Sequence, residues 1–423
     1  MTADIENATT LSVNACTDIT LEYLNREPPD ITSFGSFRSI VIVLVACQFI
    51  AGFVGNTCVI IAVLKFPALK TVRNFFIVSL SISDVIVCLT SLPTTTYNLM
   101  FKTWVFGSLS CNTIALFQGT GVIISSLTLA SIAIDRFQFI VFPRPRPDQA
   151  RIAIAGSITT WCVAIGLTIP SAINYRLATA DEWNQTWCGY FCVETGWNSQ
   201  RGRKIYGMIV LLLQLLIPFV ACTFCYACVH RAVNKRFIIR EAKAAGSKAS
   251  TLQQLALRRT RRTNKMCISM VLIFAITSFP RAILTALDDT QQLPSWITSQ
   301  LHFYFLIAHI IAMMSTFLNP VLYAYLNETF RVAFTEIMPS WTTNESSKGS
   351  KFNRETLSRP PATFWMQTLD ECLHAQLKFS LQLSAHHAAM SDSVTNELIP
   401  DSNNTTKRHK GKPTHMESIL LPD

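Results

Sequence analysis

Asp84, the neighbours Asp135 and Arg136, and Arg281 carry charge inside stretches otherwise almost free of it. A carboxylate in such surroundings has two uses. It accepts hydrogen bonds from nearby hydroxyls, or it joins other oxygens around a hard cation such as sodium. Asp84, mid-way through "NFFIVSLSISDVIV", is open to both readings. Asp135 and Arg136 follow 32 residues (103–134) without one Asp, Glu, Lys or Arg, and side by side they read as an ion pair at a helix end. Arg281 shares a helical face with Ser278, Thr285 and Asp288 at 100° per residue. A lone cation there is costly. It calls for a partner: Asp288 two turns above, Glu194, or an acidic group of a bound molecule. Cys222, Cys225 and Cys228 have metal-like spacing, but they lie inside an apolar run and read as small embedded side chains. No catalytic chemistry is read from any of these residues.

The elements that position them follow from composition. The chain has 423 residues, 50% hydrophobic and 15% charged, where a soluble domain carries about 25% charge. Charge-free runs cover 39–64, 103–134, 152–175, 205–230 and 290–327. Two more, 74–101 with Asp84 and 266–287 with Arg281, admit one intruder each. About 20 apolar residues cross a bilayer as helix, so seven spans are expected. The loop 231–265 has eleven Lys and Arg against Glu241 alone, whereas 1–38 has six acids and two arginines. Basic loops stay cytoplasmic, which puts the N-terminal segment outside. The net charge of +10 is then a property of loops near anionic lipid, not a nucleic-acid footprint. Asn7 and Asn184 begin Asn-x-Thr triplets on the outer side and are candidate glycan acceptors. Four cysteines lie outside (Cys16, Cys111, Cys188, Cys192), and three pairings are open to them.

Near the end of the last span stands Asn319-Pro320-x-x-Tyr323. With Asn56, Trp161, Pro218 and Pro280, one per span, this set resembles rhodopsin-like (class A) G-protein-coupled receptors over about 35–338. The implied fold is an all-α membrane protein. Its parts are an extracellular N-terminal segment (1–38), a seven-transmembrane helix bundle (39–327), a short amphipathic eighth helix (328–338) and a mostly disordered cytoplasmic tail (339–423). In the eighth helix, Phe330, Phe334 and Ile337 are expected to face lipid. In the tail, Trp365, Leu369, Leu373, Leu377 and Leu381 repeat every four residues. That stripe reads as an inner-leaflet helix or as chance. The resemblance makes Asp135-Arg136-Phe137 a latch, in which Asp135 holds Arg136 until a G protein receives it, and makes Tyr226 and Tyr323 its meeting points. An acid at the base of the sixth helix, common in relatives, is absent from "RRTRRTNK". The same resemblance offers Asp84, Ser125, Ser315 and Asn319 as an allosteric sodium site and implies no other cofactor.

Within that class, Gln118 stands where amine receptors carry an Asp, and 290–327 has no lysine for retinal. Thr95, Gln118, Gln214 and His309 match the polar pocket of neuropeptide Y and neuropeptide F receptors. Asp289, nine residues after Pro280, falls where that group pairs an acid with the arginine of an amidated C-terminal Arg-aromatic element. "CVETGW" resembles its second outer loop and implies the disulfide Cys111–Cys192, which leaves Cys16 and Cys188 for a second bridge. Thr277-Ser278-Phe279-Pro280 departs from the group's Cys-Trp-Leu-Pro, and the switching motion falls to Phe274. The implied partners are an extracellular peptide, a heterotrimeric G protein of the Gi/o class, arrestin, receptor kinases and the lipid bilayer of the plasma membrane. A receptor for another peptide class, tachykinin-like, is the alternative. A transporter is the rival of another class, which would need further midplane charges and an internal repeat.

Overall fold

The computed structural model describes residues 17–25, 29–142, 149–183, 187–243 and 249–337. The sequence-expected sites at Asn7, Cys16 and Asn184, and the tail with its Trp365–Leu381 stripe, lie outside them. Seven helices are long and apolar enough to cross a membrane: Gly35–Lys65, Val72–Phe101, Ser108–Val141, Arg151–Asn174, Gln200–Arg236, Thr260–Asp289 and Leu301–Leu326. They are named here as the first to the seventh span. Lipid offers the backbone no hydrogen-bond partner, so each crossing must satisfy its own amides as helix.

Charge-free runs marked these spans well, but not their ends. The first helix starts at Gly35 and takes in Arg38, whose Nε donates to the Thr32 carbonyl at 2.8 Å and whose guanidinium lies 4.5 Å over the Phe101 ring. The seventh starts at Leu301 and not at 290; Pro294 instead caps a short helix, Ser295–Thr298. Prolines shape the interior. The second span is two helices, Val72–Leu89 and Ser91–Phe101, meeting at Thr90. Pro93 lacks the N–H to bond back into the first of them. In the fifth span a π turn, Leu212–Leu216, precedes Pro218. Two glycines lie directly under side chains of the second span. A Cβ on Gly121 would lie 2.4 Å from Val87 Cγ2, and one on Gly52 2.7 Å from Cys88 Sγ.

Polar cross-ties then fix the helices against each other. Asn56 donates to the carbonyls of Gly52 (2.8 Å) and Thr316 (2.7 Å), tying the first span to the seventh. Trp161 Nε1 donates to Ser79 Oγ at 2.9 Å, tying the fourth to the second. At one end of the bundle Cys111 and Cys192 are joined, with Cα atoms 5.6 Å apart; this is the disulfide end, and the opposite one is the Arg136 end. A two-stranded hairpin covers the disulfide end, β1 (Tyr175–Thr179) antiparallel to β2 (Tyr190–Glu194). A short helix, Ile19–Leu24, packs Ile19 against Ala180 and Phe191 of this lid.

The largest apolar cluster lies toward the Arg136 end, where Cys222 and Cys225 pack as small side chains beside Tyr226, Met266, Met270 and Tyr323. The last described helix, Glu328–Ile337, corrects an expectation. Phe330 and Phe334 are buried and do not face lipid, while Ile337 is half-buried against the same cluster. Phe330 stacks on Tyr323 at 5.5 Å. Burying two aromatic rings against the first and seventh spans keeps their large apolar area in dense packing.

Candidate functional site

The third span is one unbroken helix of 34 residues, Ser108–Val141. It carries Gln118 and Arg136, roughly 27 Å apart at 1.5 Å per residue. Two polar sites sit at its ends.

At the disulfide end, the structure brings Thr95, Gln118, Arg281 and His309 together from four spans. Thr95 Oγ1 and the Gln118 side-chain amide are 3.1 Å apart. Hydrogen-bond pairing assigns the amide nitrogen to Thr95 and its oxygen to both terminal nitrogens of Arg281, since the reverse sets donors against donors. Arg281 Nη1 lies 2.8 Å from His309 Nδ1. Arginine only donates, so Nδ1 is the acceptor and the neutral ring holds its hydrogen on Nε2. Arg281 therefore has neighbours, but none of the acids proposed for it. Asp288, two turns further along the helix, is exposed and makes no ion pair with Arg281 among the described residues. Gln214 is half-buried in the π turn, and its side chain makes no hydrogen bond among the described residues.

Above this cluster, Glu194 and Asp289 do converge, and on a residue that spacing had not singled out. Arg203, in the first turn of the fifth span, places Nη2 3.1 Å from Asp289 Oδ1 and Nε 3.6 Å from Glu194 Oε2. Glu194 is held in place by Ser171 Oγ at 2.6 Å and Trp197 Nε1 at 3.0 Å. Tyr175 stands electrostatically between the two groups. Burial and the nearby Glu194 push its phenol up to about 12, against the opposing pull of Arg281 and Arg203.

A second network was also invisible in the linear chain. Asp30 accepts from Thr32 N and Oγ1, both at 2.8 Å, and its other oxygen lies 3.5 Å from Lys102 Nζ and from His302 Nδ1. Burial raises this carboxyl's pKa, but His302, Lys102 and Thr32 together outweigh it and hold it well below the usual carboxylate range. The Gln300 side chain accepts from Ile31 N at 3.0 Å and donates to the Pro29 carbonyl at 2.9 Å. Residues 29–33 are thus clamped onto the loop that precedes the seventh span.

Toward the middle, Asn319 donates to Asp84 Oδ2 at 3.2 Å. Ser125 and Ser315 each donate to a carbonyl of their own helix at 2.9 Å. A hydroxyl that spends its proton this way keeps oxygen lone pairs for a cation, so the donor chemistry of Asp84, Ser125, Ser315 and Asn319 fits sodium. Phe274 lines a small void with Ser126, Leu129, Pro218 and Phe219, where the third, fifth and sixth spans meet.

At the Arg136 end, Nε of Arg136 donates to Asp135 Oδ2 at 3.1 Å and the terminal Nη2 makes a second contact to the same oxygen. Among the described residues neither Tyr226 nor Tyr323 bonds Arg136, and the buried Tyr323 hydroxyl has no partner there. Arg136 lines a cavity of about 160 Å³ with Arg73, Thr260, Thr263 and Asn264. The base of the sixth span, which lacks an acid, is tied elsewhere. Arg262 reaches the Tyr325 carbonyl at 3.0 Å and Glu328 at 3.5 Å. Cys188 takes part in a disulfide, and Thr17, neighbour of its expected partner Cys16, bridges to Trp187.

The model of the seven-transmembrane receptor (rhodopsin family) matches residues 55–323. Neuropeptide receptor npr-1 of Caenorhabditis elegans is 32% identical over 319 residues, 67% of this chain and 69% of its own length. The Neuropeptide F receptor of Drosophila melanogaster is 31% identical, over 68% of this chain and 60% of its own length. Galanin receptor type 1 of Rattus norvegicus is 28% identical, over 80% and 93%.

Proposed function

The chain belongs to the rhodopsin family of seven-transmembrane receptors, and from that premise we propose that it recognises a neuropeptide at the disulfide end and engages a heterotrimeric G protein at the Arg136 end. It is a receptor and not an enzyme. The basic loops flanking the Arg136 end orient that face, with the tail, to the cytoplasm of a plasma-membrane protein whose N-terminus is outside. Family likeness supports a Gi/o protein, arrestin and receptor kinases as inner partners, and sodium at Asp84 as an allosteric ligand.

One observation carries the ligand class: Glu194 and Asp289 converge on a guanidinium. Paired carboxylates at that spacing select arginine, whose planar fork makes charge-assisted bonds. Glu194, Asp288 and Asp289 face two cations, Arg203 and Lys204, so the rim keeps an excess negative charge for a basic peptide residue. On this reading a ligand arginine, from a peptide ending in an Arg-aromatic element, would compete with Arg203 for the same two carboxylates. The third span then relays occupancy to Arg136 as a shift between two states.

The test is Asp289→Ala in intact cells, challenged with peptides that end in Arg-Phe. Potency drops by about 10-fold or more through loss of a charged hydrogen bond, at unchanged surface level. Equal potency removes the arginine-pairing reading.

A further inference from the structure

We propose that the ligand delivers a carboxylate to Arg281, as the innermost polar contact of the pocket; this rests on reading the disulfide end as the ligand site. Arg281 sits one residue after Pro280 in the sixth span and holds out its guanidinium between the third and seventh. Its two partners, Gln118 and His309, are neutral. No carboxylate among the described residues is paired with it. Glu194 and Asp289 are engaged by Arg203, Asp84 by Asn319, Asp135 by Arg136, and Asp288 is exposed. The phenol of Tyr175 is no substitute, because a group that releases its proton only near pH 12 is neutral in the cell.

An uncompensated cation among apolar helices is costly unless a counter-charge arrives. The chemistry of that counter-charge is narrow. Arginine offers only donors, and Gln118 has turned its oxygen to Arg281 and its nitrogen to Thr95. A ligand carboxamide could offer the fork only one acceptor oxygen, and it brings no counter-charge. A carboxylate presents acceptors alone and matches the guanidinium fork. It comes either from a free C-terminus or from an Asp or Glu side chain. The pocket is thereby bipolar, with acids at the rim for a basic residue and a cation at the floor for an acidic group. This departs from the amidated terminus that family likeness implies.

The experiment uses the full chain in cells with matched synthetic octapeptides ending in Arg-Phe, made as free acid, as amide, and as amide with Asp or Glu at one inner position. On the unaltered receptor a carboxylate-bearing form is expected to be at least tenfold more potent than its plain amide twin; which form wins names the source. Arg281→Gln should abolish that ratio, whereas Asp289→Ala weakens all forms alike and keeps it. Equal or greater potency of the plain amide, or a ratio that survives Arg281→Gln, overturns the proposal. Thermal unfolding of the purified ligand-free receptor decides the matter even if no peptide responds. Removing an uncompensated charge should raise the melting temperature of Arg281→Gln. A lower melting temperature would make Arg281 a structural tie and overturn the carboxylate; silent peptides with a raised one would fault only the peptide reading.

Discussion

Arg136 and Arg281 are both arginines held in apolar helices, and the bundle treats them differently. Arg136 finds its acid one residue back along its own chain, at the mouth of a cavity open to further groups. Arg281 has no acid on its own helix within reach and leans on an amide and an imidazole from two other spans. The disulfide end does pair its other charges, buried Asp30 with Lys102 and half-buried Arg203 with two carboxylates, so this is no general shortage of acids there. The contrast separates a charge stored with its partner from a charge kept ready for one.

Three perturbations sharpen that contrast. The largest effect is expected where a stored pair is most buried. Asp30→Asn takes the carboxylate from Lys102 in a site where both side chains are almost wholly buried, and loss of one partner from a buried pair costs about 3–5 kcal/mol. Thermal unfolding should show it as a marked fall in melting temperature. The pH dependence has a fixed sign. Because the folded Asp30 carboxyl is held below its unfolded value, its contribution is present above about pH 4 and is lost as pH falls through the folded value. Asp30→Asn should flatten that acid limb, and an unchanged limb would show that the pair stores nothing.

A smaller effect belongs to the latch. Asp135→Asn leaves Arg136 in place but removes its charge partner, turning it into a second cation without an acid. A charged hydrogen bond of about 1.5 kcal/mol corresponds to roughly a tenfold shift in a two-state equilibrium. Basal G-protein activity should rise by about that factor, above a background that is itself expected to be measurable because the base of the sixth span carries no acid. A silent variant would mean that the pair holds nothing closed. The smallest effect concerns the half-exposed tie between Arg262 and Glu328. Exposed pairs contribute about 1 kcal/mol or less, so Glu328→Gln should raise basal signal about twofold in the same assay. A rise matching Asp135→Asn would make this tie, not the Asp135 pair, the principal restraint.

Much of this was legible in the linear chain where one residue type serves one local purpose. Charge-free runs located the spans because lipid admits only helix, whereas the break before Pro93 and the π turn before Pro218 came only from the structure. Asp135-Arg136 could be read at once because its partners are adjacent. Gln118, Thr95 and His309 were named from likeness and do meet. Arg203 was overlooked because it sits in a solvated stretch among Arg201 and Lys204, where a basic residue carries no signal of its own. The inward turn of Phe330 and Phe334 was misjudged for a related reason. An amphipathic stripe shows that one face is apolar, but not whether lipid or protein covers it.

By itself the amino-acid order determined the number of crossings, their polarity across the membrane as an expectation, and the ion pair beside Phe137. These follow from hydropathy and from neighbours a few bonds apart. Only the tertiary structure decided which acid answers which base: Asp30 with Lys102, Arg203 with Glu194 and Asp289, and Arg281 with none among the described residues. Electrostatic pairing falls off over a few ångströms, and which side chains come that close depends on how separate helices pack, a choice that no single stretch of chain contains.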